Sequence, residues 1–129
     1  MATQFTLGKN ERLKSRKSIE KIFNEGKKMS LPPYRIFYSI NISAEKSLLL
    51  FGVGVSSKNF KRAVDRNKIK RLTREAYRMQ KQLLKEIITK KNFHLEVFFI
   101  YTGKELPVYN DIYKKVGAAL RNIEKIAAV

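Results

Sequence analysis

The segment Phe93-His-Leu-Glu-Val-Phe-Phe-Ile-Tyr101 places the tightest limit on the fold. Its centre is hydrophobic on both faces of a strand, so it reads as a buried strand, and burial calls for a sheet covered by helices. Two further strands are expected. Tyr34 to Ile42 alternates, with Tyr34, Ile36, Tyr38 and Ile40 on one face and Arg35, Phe37 and Ser39 on the other. Ser47 to Val55 is apolar, and its Gly52 and Gly54 signal a bulge or a close backbone approach. Between these two strands, Ser43-Ala-Glu-Lys46 is a polar connection of hairpin length.

Helical spacing fills the rest. Ile19, Ile22 and Phe23 fall at i, i+3 and i+4 in a helix from about Ser15, a suitable N-cap, to Glu25, with Gly26 at its stop. Leu31-Pro32-Pro33 cannot continue a helix. A long helix is expected from about Ala63 to Thr89. A last one runs from about Tyr109 to Ile126, lined by Ile112, Val116, Leu120 and Ile123. The order is α-β-β-α-β-α, an α+β (α/β sandwich) class with a small sheet packed by helices. No repeat or linker interrupts it, so residues 1–129 read as one domain, with 1–10 a loose polar arm.

Charge narrows the function. The chain carries 28 Lys and Arg against 11 Asp and Glu, a formal net charge of +17. Ordinary surfaces mix both signs, and an excess this large attracts polyanions, with nucleic acid ahead of an anionic membrane surface. Eight Phe and six Tyr speak against a disordered basic tail. The absence of cysteine excludes disulfide scaffolds, thiolate zinc sites and cysteine nucleophiles. No apolar run approaches a membrane span, and the first 17 residues lack the apolar stretch of a secretory signal. The acids show no D-x-D spacing and the single His94 stands alone, which argues against an autonomous metal-dependent nuclease.

The basic residues concentrate in one helix. Lys58 to Lys81 holds ten basic residues and two acids, Asp65 and Glu75. On a wheel of about 100° per residue, Arg66, Asn67, Lys70, Arg71, Arg74, Arg78 and Lys81 form one strip. Ile69, Leu72, Ala76, Met79 and Leu83 form the opposite, core-facing strip. Arg66, Lys70, Arg74 and Arg78 repeat at i,i+4, which opposes helix formation by a few tenths of a kcal/mol per pair. An anionic ligand explains such a row better than a solvated face, which needs interspersed acids. Arg suits bidentate phosphate contacts. Asn67 can bond a phosphate, a base edge or a 2′-hydroxyl, or serve as a local cap.

Ala63-Val-Asp-Arg66-Asn67-Lys68-Ile69-Lys70-Arg71-x-x-Arg74-Glu75 resembles the signature of the bacterial ribonuclease P protein component. In that family an Arg-Asn-Arg core precedes Ile-Lys-Arg and a further Arg. Arg12-Leu-Lys, Ile22-Phe23-x-x-Gly26, the aromatic strand at 34–40 and Ser57-Lys58 extend the resemblance over nearly the whole chain. Lys68 stands where Arg is usual, Ile19 where an aromatic is usual, and Lys61 where Gly is common.

The resemblance implies a protein subunit that binds a catalytic RNA. Together they remove the 5′ leader of precursor tRNA, the RNA carrying the chemistry and holding most of the Mg²⁺. It implies a cytoplasmic, monomeric protein in a 1:1 complex, not catalytic alone, and a ribosomal-protein-like fold with a left-handed βαβ crossover. Arg66, Asn67, Lys68, Lys70, Arg71 and Arg74 match positions facing the RNA subunit. Phe23, Ile19 and Phe37 match a cleft for the leader, to which Arg35 and Lys58 are added, and Arg62 and Arg78 are further phosphate contacts. Core packing competes for Phe23 and Phe37. The alternative function is a ribosomal or other structural RNA-binding protein, which explains the charge and size but not the 61–75 pattern.

Overall fold

The computed structural model describes residues 12–13, 15–42 and 48–128. The arm at 1–10 and the connection Ser43 to Lys46 lie outside them. Along the chain come α1 (Arg16–Glu25), β1 (Lys27–Leu31), β2 (Tyr34–Asn41), β3 (Leu49–Val55), α2 (Ala63–Gln80), α3 (Gln82–Lys91), β4 (His94–Tyr101) and α4 (Tyr109–Ala128). One four-stranded sheet has the order β1-β2-β4-β3. β1 and β2 are antiparallel, as are β2 and β4, whereas β3 and β4 are parallel.

The sheet follows the alternation in the sequence. Tyr34, Ile36 and Tyr38 of β2 face inward with Leu95, Val97, Phe99 and Tyr101 of β4 and Leu49, Phe51 and Val53 of β3. They pack on Ile69, Ala76 and Tyr77 of α2, Leu84 and Ile88 of α3, and Ile112, Val116, Leu120 and Ile123 of α4. The outward face carries a second cluster, Leu13, Ile22, Phe37 and Phe98, partly covered by α1. β4 lies between β2 and β3, and its centre is apolar on both faces, as its sequence requires.

Helix α1 obeys its end signals. Ser15 caps it by accepting a hydrogen bond from the Ser18 amide, and the Gly26 amide donates to Ile22 O at the other end. A Cβ at Gly26 would press on that same carbonyl. Gly52 and Gly54 mark a close approach, not a bulge, since β3 keeps continuous register with β4. The Phe98 ring lies over them, and a Cβ at Gly52 would come within 2.6 Å of it.

Four expectations need correction. β1 reads as no strand in the sequence, because Lys27-Lys28-Met29-Ser30-Leu31 is an exposed, lysine-bearing edge, and sheet edges are blunted that way. The hairpin therefore turns at Pro32-Pro33. β2 and β3 are not neighbours, because β4 is inserted between them. The expected helix 63–89 is two helices broken at Lys81, so the element order gains a strand and a helix. Finally, the buried side of α2 is turned from the expected one. Tyr77 and Thr73 are buried and Lys81 is fully buried, while Met79 is 42% and Leu83 51% exposed. Tyr77 stacks on Phe51 with ring centroids 3.9 Å apart, and this aromatic pair, not the Leu/Met stripe, orients the helix on the sheet.

Candidate nucleic-acid interface

The rotation of α2 redistributes its basic residues. Asn67, Lys68 and Arg71 are exposed, and Lys70 and Arg74 are half-buried on the flank beside Tyr77. Lys81 leaves the strip altogether. Arg78 is half-buried and ion-paired with Glu75 one turn earlier, so part of its charge is answered within the helix. Arg62 is exposed at the N-cap position of α2, where its side chain makes no capping bond. Since that position is taken, Asn67 is not a cap.

Arg66 has a second employment. Its Nη1 donates to Phe60 O at 2.8 Å and Lys61 O at 2.9 Å, clamping the chain that enters α2. The same loop is tied to the β4–α4 connection by Asn59, whose Nδ2 donates to Thr102 O and Gly103 O. Ser56 Oγ accepts from the Lys58 amide. The exposed Lys58 is thereby carried on a braced turn at the start of the basic helix.

The second surface is the outward face of the sheet. Phe23 is half-buried and rests on Phe37 and Phe98, at centroid distances of 4.8 and 5.3 Å. Phe37 itself is only 7% exposed, so core packing dominates its role, and Lys28 Nζ stands 5.8 Å from its ring centroid. Ile19 is half-buried beside them. Arg35 is exposed on the neighbouring row, opposite Ile100. This half of the face therefore offers an aromatic ledge rimmed by cations, a combination suited to single-stranded nucleic acid.

The segment at Arg12 and Leu13 connects the two surfaces. It runs parallel to β3, bridging Arg12 to Phe51, and the Leu13 amide donates to Phe51 O at 2.8 Å. Leu13 joins the outward aromatic cluster. Arg12 lies close enough to α2 to affect Arg74, whose guanidinium is held below its ordinary pKa by burial and then by repulsion from Arg12. Two cations held together and partly desolvated favour an anion.

The chain and its fold have known counterparts. The family model described as Ribonuclease P matches residues 7–124. The ribonuclease P protein component of Porphyromonas gingivalis is 34% identical over 119 residues, covering 92% of this chain and 87% of that protein. The Dictyoglomus turgidum protein of the same name is 38% identical, covering 84% and 91%. The chain belongs to the ribonuclease P protein component family. Among solved structures, the RNase P protein from Thermotoga maritima aligns with a TM-score of 0.66 and 26% identity, over 87% of this chain and 96% of that one. That of Staphylococcus aureus shares the fold with a TM-score of 0.70 at 21% identity, over 89% and 96%.

Sequence reasoning missed the placement of Arg12, which neighbours Arg74 only because its segment lies along β3. It also missed Lys28, because β1 itself went unread. Among the described residues no three His, Asp or Glu side chains gather closely enough to hold a metal ion, and no helix is long and apolar enough to cross a membrane.

Proposed function

We propose that this chain is the RNA-binding protein subunit of a ribonuclease P holoenzyme and assists removal of the 5′ leader from precursor tRNA. The exposed basic face of α2 carries the reading: Asn67, Lys68 and Arg71, flanked by Lys70 and Arg74, stand at the positions of the family signature, with Asp65 and Glu75 the two acids of the helix. These residues, with Arg66, bind the ribonuclease P RNA. Arg62 and Arg78 add phosphate contacts, Arg78 after release from Glu75.

The leader of the precursor lies on the outward face. Phe23 and Ile19 offer the ledge, Phe37 supports Phe23 from beneath, and Arg35 and Lys58 neutralise phosphates. Stacking on an aromatic ring is tolerant of base identity and is worth roughly 1–3 kcal/mol per base, which suits a protein that meets many leaders. The chemistry belongs to the catalytic RNA and the Mg²⁺ it holds. The protein's part is to bind, orient and screen charge, as a cytoplasmic monomer in a 1:1 complex with the RNA.

The test is cleavage of precursor tRNA by a bacterial-type ribonuclease P RNA at low Mg²⁺. The protein should switch on correct 5′ processing and do nothing by itself. Phe23→Ala should weaken precursor binding more than mature tRNA binding. Indifference of the RNA to the protein would leave the ribosomal or structural RNA-binding alternative as the better reading.

A further inference from the structure

Helix α1 divides the outward face of the sheet, and its two sides differ. Toward Arg35, the space under Phe23 is filled by Phe37 and Phe98. On the other side lies a cavity of about 260 Å³, lined by Ser18, Lys21, Glu25, Ser39, His94 and Glu96, among others. Small residues border it, Gly26 and Ser39, and a bulkier side chain in place of Ser39 would fill it. It exceeds several-fold the roughly 30 Å³ that one water occupies in the liquid.

Its lining runs against the charge of the molecule. The chain has only 11 acids and one His, yet Glu25, Glu96 and His94 share this cavity. His94 Nε2 and Glu96 Oε2 share a hydrogen bond at 3.2 Å, with both side chains about a fifth exposed. That bond holds one oxygen of the Glu96 carboxylate beside the cavity. A carboxylate repels a phosphate backbone, so in an RNA-binding surface it fits a base edge that donates. Guanine alone among the RNA bases presents two adjacent donor groups, N1–H and N2–H₂, to a carboxylate.

We propose that this cavity is a subsite for one guanine base of single-stranded RNA. Glu96 accepts from the N1–H and N2–H₂ edge, Ser39 and Asn41 meet the remaining polar atoms, and Lys21 at the rim meets the adjoining phosphate. The proposal rests on the RNA-binding reading but uses none of the residues assigned to the RNA subunit or the aromatic ledge.

The experiment is a titration of the isotopically labelled protein with GMP, IMP and AMP, followed by NMR. The three share a phosphate, so attraction to the basic helix is common to all. IMP lacks the N2 amine, and AMP lacks both donors at that edge. GMP should shift the His94 ring and the Ser39 and Asn41 amides at about ten-fold lower concentration than AMP, with IMP between them. Glu96→Gln should erase that order, and Ser39→Met, which fills the cavity, should abolish the shifts. Thermal melts of both variants must match the parent for the result to count in favour; if either variant unfolds, the nucleotide order on the parent protein decides. Equal responses to the three nucleotides, or shifts confined to α2, overturn the proposal. Precursor cleavage stimulated by a protein indifferent to the nucleotides sinks the subsite alone. Guanine selectivity at His94 without stimulation sinks the holoenzyme reading and leaves the subsite standing.

Discussion

Thr73→Val probes the bond that seats the basic helix on the sheet. Thr73 is fully buried, donating to Ile69 O at 2.8 Å and accepting from the Tyr34 hydroxyl at 2.7 Å. Valine keeps the shape and removes the oxygen. Ile69 O keeps the helical amide of Thr73, so its loss costs little. The Tyr34 hydroxyl is only 1% exposed as a residue and is left without its partner. An orphaned buried donor costs about 1–3 kcal/mol, and the shape match adds no cavity to that. For a domain of this size the expected fall in Tm is about 3–12 °C. Urea or thermal unfolding measures it, with RNA affinity at a temperature where the variant is folded as the control. Thr73 faces the sheet, so the folded variant should bind RNA as the parent does. The double variant Thr73→Val/Tyr34→Phe removes both polar groups and should recover most of the loss. A single variant as stable as the parent, or a double variant as poor as the sum of the singles, would refute the reasoning.

Burial raises Tyr34 from its ordinary 10 to about 12, so the phenol stays protonated in the folded protein where the unfolded chain ionises. The sign follows: its contribution is fully present below about pH 10 and is lost as pH rises through about 12, worth roughly 2–3 kcal/mol; Tyr34→Phe should flatten the alkaline limb of a stability–pH curve. Arg71→Ala should reduce the salt dependence of RNA binding by about one counterion's slope without changing Tm, whereas Arg66→Ala should also destabilise by about 1–3 kcal/mol because it frees the Phe60 and Lys61 carbonyls. Equal Tm values for these two variants would remove the clamp. Arg12→Ala should lower the salt slope by about one, as Arg74→Ala does, and unchanged slopes would take the N-terminal segment out of the interface. Gly52→Val should cost about 1–3 kcal/mol by displacing the Phe98 ring, seen as a lower urea midpoint together with shifted Phe23 and Phe37 NMR signals; an unmoved midpoint would show that the ring yields freely.

Much was legible because it is local. The caps of α1, the alternation of β2, the double-sided apolarity of β4 and the stripe of α4 each follow from residues a few positions apart. The charge of the Lys58–Lys81 stretch is likewise a property of the chain, and so is the signature that marks the family. The aromatic ledge was half legible: Phe23 and Phe37 stood out, but whether either ring is open depends on who lies over whom.

Tertiary structure decided what pairing and packing decide. An edge strand such as β1 has a weak signal because only one neighbour and partial burial hold it in place. The insertion of β4 between β2 and β3 is a choice among registers that the strands alone leave open. The direction of the basic strip was set by the stacking of Tyr77 on Phe51, which turns α2 so that Lys81 at its end is buried and Met79 faces outward. Arg12 comes near Arg74, and His94 and Glu25 line one cavity, across separations no periodicity spans. The sequence by itself determined that the chain is a helix-covered sheet with a cationic helix; burial against distant partners determined which cations, rings and acids share a surface.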